Sequence, residues 1–141
     1  MYNNNDDVIK NMKKIFIILF FSIIPLSDLY AEWTFIARGT NGRGQNVAFY
    51  VDFTRIRKSN GFVYFWSLIN LIKEKPVSGF SMKNYIQGDC KVFREKQLTI
   101  VFHELPMGKD TGITNHIEKP KWTYPMPNSV GESQLQKVCN H

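Results

Sequence analysis

The residues whose types could support chemistry are few: Cys90 and Cys139, the pair His103-Glu104, His116, His141, and the carboxylate of Asp52. His103-Glu104 opens like the HExxH zinc signature, but position 107 is Met107 and the segment reads as a strand, so no zinc site is expected. His116 and His141 have no carboxylate or thiol at ligand spacing, and all three histidines are expected as exposed polar residues. Gly39, Gly42 and Gly44 do not follow the order of a dinucleotide fingerprint. No GxSxG or SxxK nucleophile motif occurs. Asp52 and Glu104 are single carboxylates on different predicted strands, which gives no acid–base pair. The expectation is a non-enzymatic chain with no catalytic, cofactor-binding or metal residues.

The two cysteines depend on the compartment. Residues 1–11 are polar and form an N-terminal extension, with Met12 as a second candidate start. Met12-Lys13-Lys14 precedes the apolar run from Ile15 to Leu26, followed by Ser27-Asp28-Leu29-Tyr30-Ala31. A bilayer span takes about 20 apolar residues, so this run has signal-peptide length instead. Residues 12–31 are therefore read as a signal peptide cleaved after Ala31, which leaves 32–141 as one mature domain without a membrane span. A short membrane anchor or buried helix is the competing reading. Export to an oxidising compartment favours a Cys90–Cys139 disulfide over a metal pair, with two free buried thiols as the alternative. No thiol nucleophile would then remain.

Charge narrows the partners. The chain carries 18 Lys+Arg against 12 Asp+Glu, a net charge of +6 with no dense basic cluster. That balance suits acidic proteins, glycans or lipid headgroups, and export removes nucleic acid from consideration.

The elements that must position these residues are mainly strands. Trp33–Arg38, Asn46–Phe53, Gly61–Leu71 and Gln97–Glu104 alternate or are β-rich, and Cys90 is placed at the start of a 90–104 strand. Lys58-Ser59-Asn60-Gly61 suits a tight hairpin. Leu98, Ile100 and Phe102 are expected on one face with Cys90, and Thr99, Val101 and His103 on the other. Residues 105–128 read as a long loop pinned by Trp122 and Tyr124. Ser129-Val130-Gly131-Glu132 is a capping box, and Leu135, Val138 and Cys139 share one helical face. The fold class is α+β: a small antiparallel β-sheet with a C-terminal helix tethered by the disulfide. Phe62, Tyr64 and Trp66 fall on one face of their strand and Phe65 on the other, beside Val63 and Ile69. One helix covers one face only, so the second is expected either to pair with another copy in a homodimer or to lie under the 105–128 loop.

The order of these features resembles the bacterial surface-adhesin protein E family. It runs through the leader, Trp33, Tyr50-Val51-Asp52, Thr54-Arg55-Ile56, the Asn-Gly turn, Ser81 and Tyr85 leading to Cys90-Lys91, and Arg94. Trp122 then precedes Pro127-Asn128-Ser129-Val130 and a helix ending in Cys139. The resemblance implies a small antiparallel sheet with a disulfide-tethered helix, often dimeric, and binding of host extracellular-matrix proteins at the cell surface. No cysteine follows Ala31 to carry a lipid anchor, so a periplasmic or released protein is expected alongside a surface adhesin, and a periplasmic accessory role without a host ligand is the alternative. No ligand-contact residue carries over.

Overall fold

The computed structural model describes residues 31–72 and 79–141. The N-terminal extension and nearly all of the signal peptide lie outside the described residues. The described chain forms a six-stranded antiparallel sheet in simple sequence order. The strands are β1 (Trp33–Thr40), β2 (Asn46–Ser59), β3 (Phe62–Leu71), β4 (Ser81–Asp89), β5 (Arg94–His103) and β6 (Ile113–His116), and the helix α1 (Val130–Cys139) follows.

Local chemistry explains most boundaries. Asn60 and Gly61 take φ of 52° and 79°, the left-handed pair that a two-residue hairpin needs to match strand twist. β2 runs on to Ser59 through a register shift between Asp52 and Arg57, so Thr54-Arg55-Ile56 lies within the strand. At the helix start the Ser129 hydroxyl accepts from the Glu132 amide at 3.1 Å. The Glu132 carboxylate accepts from the Asn128 amide at 2.7 Å, not from the serine amide, so the box closes one residue earlier than expected.

The core lies between α1 and one face of the sheet. Leu135 and Val138 pack with Val51, Val63, Phe65 and Ile86. Gly88 lies beneath the helix, where an added β-carbon would sit 2.8 Å from a Leu135 methyl and 2.9 Å from Val63. Cys90 and Cys139 are bonded, with 5.6 Å between Cα atoms across a separation of 49 residues. A helix this short is marginal alone, and the bond ties its last turn to the sheet.

Several expectations are corrected. Residues 81–89 form a full central strand that the sequence pattern did not reveal. Cys90 belongs to the β4–β5 turn and not to the following strand, which begins at Arg94. A register shift between Tyr85 and Ile86 breaks the parity linking Cys90 to Leu98, Ile100 and Phe102. The buried side of β5 carries Val101 and His103, at 8% and 2% exposure, while Phe102 is 48% exposed. His103 is thus a buried histidine and not an exposed one. Residues 105–128 are not one loop, since they contain β6 and a bridge from Thr123 to Glu95. Strict alternation along Trp33–Arg38 would put Trp33, Phe35 and Ala37 on one face, but a register shift between Phe35 and Ala37 moves Ala37 to the other.

Candidate binding face

The sheet face opposite α1 is assembled by register. Trp33, Asp52, Trp66, Tyr85, Thr99 and His116 are successive cross-strand neighbours on it, running from β1 to β6. The next row is Phe35, Tyr50, Leu68, Lys83, Val101 and Thr114. Phe62, Tyr64 and Trp66 share this face as expected, with Phe65 and Val63 on the other, which is the side that meets the helix.

The segment after β5 covers the two ends of this face. Its first part turns over Leu68 and Asn70: the Met107 amide donates to Asn70 at 2.7 Å and Lys83 donates to the Gly108 carbonyl at 2.8 Å. At the other end Trp122 lies against Phe62 at 5.6 Å between centroids. Arg94 and Lys96 sit over the same indole at 4.5 and 4.6 Å. Tyr124, by contrast, is 64% exposed and pins nothing. Between the covered ends, Tyr64, Tyr85 and Trp66 stay half-buried, with Trp66 and Tyr85 at 4.9 Å. Arg57 caps Tyr64 at 5.6 Å. A cationic rim therefore borders an aromatic strip.

Polar groups on this face are tightly held. The Asp52 carboxylate is fully buried, and its Oδ1 accepts from the Thr54 amide and hydroxyl at 3.1 and 2.6 Å. Its Oδ2 lies 3.3 Å from Arg55 Nε. The His103 Nδ1 pairs with Asp110 Oδ1 at 3.1 Å. Burial alone would raise the Asp110 pKa, but donation from the Glu104 and Leu105 amides and from His103 outweighs it and holds the carboxylate below its usual range. Burial lowers the Lys83 pKa, Asp110 opposes that shift, and Arg55 adds to it. Asp89 behaves like Asp110: burial pushes its pKa up, and donation from Val92, Arg94 and Lys91 more than reverses this. Its ion pair with Arg94, at 3.1 Å, fixes the guanidinium beneath Trp122.

No cluster of His, Cys, Asp or Glu suited to a metal occurs among the described residues, and no helix among them is long and apolar enough to cross a membrane. The sequence pointed to the aromatics of β3 but missed Lys83, Asp110 and the burial of Asp52 and His103. The one available signal was Tyr50-Val51-Asp52, a charged residue at an alternating position of an otherwise apolar strand.

Comparison with known proteins agrees with this architecture. Haemophilus influenzae protein E is similar in fold, with TM-score 0.57, 18% identity, and coverage of 82% of this chain and 89% of that one. Its second crystal form gives 0.55, 17%, 82% and 93%. Protein E from non-typeable Haemophilus influenzae gives 0.55, 18%, 82% and 80%. No curated protein matches the chain by sequence. Residues 33–140 match the family model of surface-adhesin protein E, and the chain belongs to that family.

Proposed function

We propose that the chain is an exported, non-catalytic binding module of adhesin type, and that its aromatic–cationic face takes up an acidic segment of a host extracellular-matrix protein. The observation that supports this most is the half-buried strip of Tyr64, Trp66 and Tyr85 with Arg57, Arg94 and Lys96 along it. Aromatic and arginine side chains dominate the binding energy of protein interfaces, because they bury large area around a directed charge. The net charge of +6 adds attraction to an acidic partner at a distance. The family supplies the context, since its model is described as surface-adhesin protein E.

Export through cleavage after Ala31 belongs to this proposal, and so does pairing of two copies into a dimer. Intact mass of the exported protein tests the first: a chain beginning at Glu32 supports it, and one beginning at Met1 or Met12 contradicts it. Light scattering on that material reads the second.

Binding is tested by applying the exported protein to a panel of immobilised extracellular-matrix proteins at low and high salt. Saturable binding that weakens with salt, and that the pair Arg94→Ala and Lys96→Ala reduces at least about tenfold, is the expected result. Protease added to intact cells gives the location. Degradation supports surface display, whereas complete protection with no matrix binding favours a periplasmic accessory role.

A further inference from the structure

The same face holds a second feature away from the Arg94–Trp122 end. Trp33, Asp52 and Trp66 are consecutive cross-strand neighbours, so a buried carboxylate is flanked on both sides by indoles. Lys83 and Thr114 come from the neighbouring row, and His103 stands beyond them beneath Asp110. Together these residues line a cavity of about 280 Å³. That lies just under the range of roughly 300–1,000 Å³ for pockets that take drug-sized ligands, so it has room for one ring and not for a peptide.

Two residues of its lining each carry a buried polar atom that lacks an aligned hydrogen bond among the described residues: Asp52 Oδ2 and His103 Nε2. Asp52 is fully buried and His103 is 2% exposed. The Arg55 contact to Oδ2, at 3.3 Å, is an ion pair that does not satisfy this oxygen directionally. Buried polar groups left this way are uncommon in folded proteins and call for a partner.

Geometry narrows what that partner must offer. Asp110 Oδ1 engages His103 Nδ1 at 3.1 Å, so Nε2 is the ring atom left for a ligand hydroxyl. The residues lining the cavity thus carry a carboxylate acceptor, Asp52 Oδ2, and a ring nitrogen, His103 Nε2. The cavity presents a donor in Lys83, which gives one hydrogen to the Gly108 carbonyl and has two more. Asp52 and Asp110 are balanced by Arg55 and Lys83, so neither a cation nor an anion gains from the site as a whole. A carboxylate between indoles would suit an ammonium ion on its own, but Arg55 and Lys83 repel one. A neutral molecule rich in hydroxyls, with an apolar C–H face for an indole, meets every requirement.

We infer that this cavity binds a single pyranose ring of a neutral glycan. Ring hydroxyls donate to Asp52 Oδ2, pair with His103 Nε2 and accept from Lys83, while one ring face lies against Trp66, which packs on Tyr85 at 4.9 Å.

The test titrates the full chain with glucose, galactose, mannose and N-acetylglucosamine, up to tens of millimolar, following tryptophan fluorescence and saturation-transfer NMR. At least one sugar binds saturably, and transfer is strongest to its ring C–H protons. Asp52→Asn weakens that binding at least about tenfold, as loss of a charged acceptor does. Because Asp52 is buried, Thr114→Trp serves as a second variant. It lies on the exposed edge strand β6, obstructs the cavity, and abolishes binding with the melting curve unchanged. The inference is overturned if no neutral sugar binds. It is equally overturned if tetramethylammonium or acetate binds in preference, or if a sugar binds with the same affinity to both variants.

Discussion

The two faces of one sheet are made differently. Beneath α1 mainly aliphatic side chains and Phe65 close around Leu135 and Val138, and a covalent bond locks the cover in place. On the opposite face the cover is a chain segment touching only the ends, and the side chains are Tyr, Trp, Arg and Lys with buried Asp52 and His103. Close packing of aliphatic groups gives a dense, poorly compressible interior. Amphipathic aromatics and held charges instead leave recognition groups at hand. On the proposed function, the difference separates the work of folding from the work of binding within a single sheet.

The largest effect falls on the helix face. Replacing both Cys90 and Cys139 by serine, or reducing them, lowers unfolding free energy by about 4 kcal/mol on the chain-entropy model, read by denaturant titration with and without reductant. Unchanged stability would mean that α1 docks without its tether. Next, Leu135→Ala costs about 3 kcal/mol, since the residue is fully buried and the space it leaves cannot collapse against a sheet.

A smaller effect is pH-dependent. Glu95 faces the first turn of α1, its Oε2 has no hydrogen-bond partner among the described residues, and burial raises its pKa from 4.5 to about 6. A carboxyl whose folded pKa is raised favours the fold while protonated, so stability is greatest below about pH 4.5 and falls as pH rises through about 6. The fall attributable to this group is about 2 kcal/mol. Glu95→Gln removes it and makes the protein more stable at pH 7.5, which melting curves at pH 4.5 and 7.5 would show.

The smallest effect on stability belongs to the open face. Arg94→Ala with Lys96→Ala costs about 1 kcal/mol: two cation–aromatic contacts and the Arg94–Asp89 pair are lost, but the Asp89 carboxylate keeps its Lys91 and Val92 amide donors. Equilibrium denaturation of the double variant checks this, and a larger loss would make the rim part of the scaffold.

Much of the fold was legible because it rests on local signals. Alternation in Asn46–Phe53, the Asn60-Gly61 pair and the Ser129 cap each act within a few residues. β4 was not legible: Lys83, Asn84, Gln87 and Gly88 interrupt any alternation, and the strand exists because β3 and β5 both hydrogen-bond to it. The parity of β5 failed for a similar reason, since the shift opposite Tyr85 and Ile86 is fixed by pairing and not by the residues themselves. Of the binding face, the aromatics of β3 were visible in sequence. The burial of Asp52 and His103 was not, because it needs Trp33, Asp110 and the β5–β6 connection brought in from elsewhere. Cross-strand rows are invisible until register is known.

The central claim is that one face holds the fold and the other binds. Leu135→Ala and the Arg94→Ala/Lys96→Ala pair should therefore be compared side by side for unfolding free energy and for binding to the matrix-protein panel. Leu135→Ala is expected to lose about 3 kcal/mol yet bind with unchanged affinity while folded, and the double variant to lose only about 1 kcal/mol and at least about tenfold in binding. Binding that falls in proportion to stability in both variants, or that survives intact in the double variant, would contradict that claim.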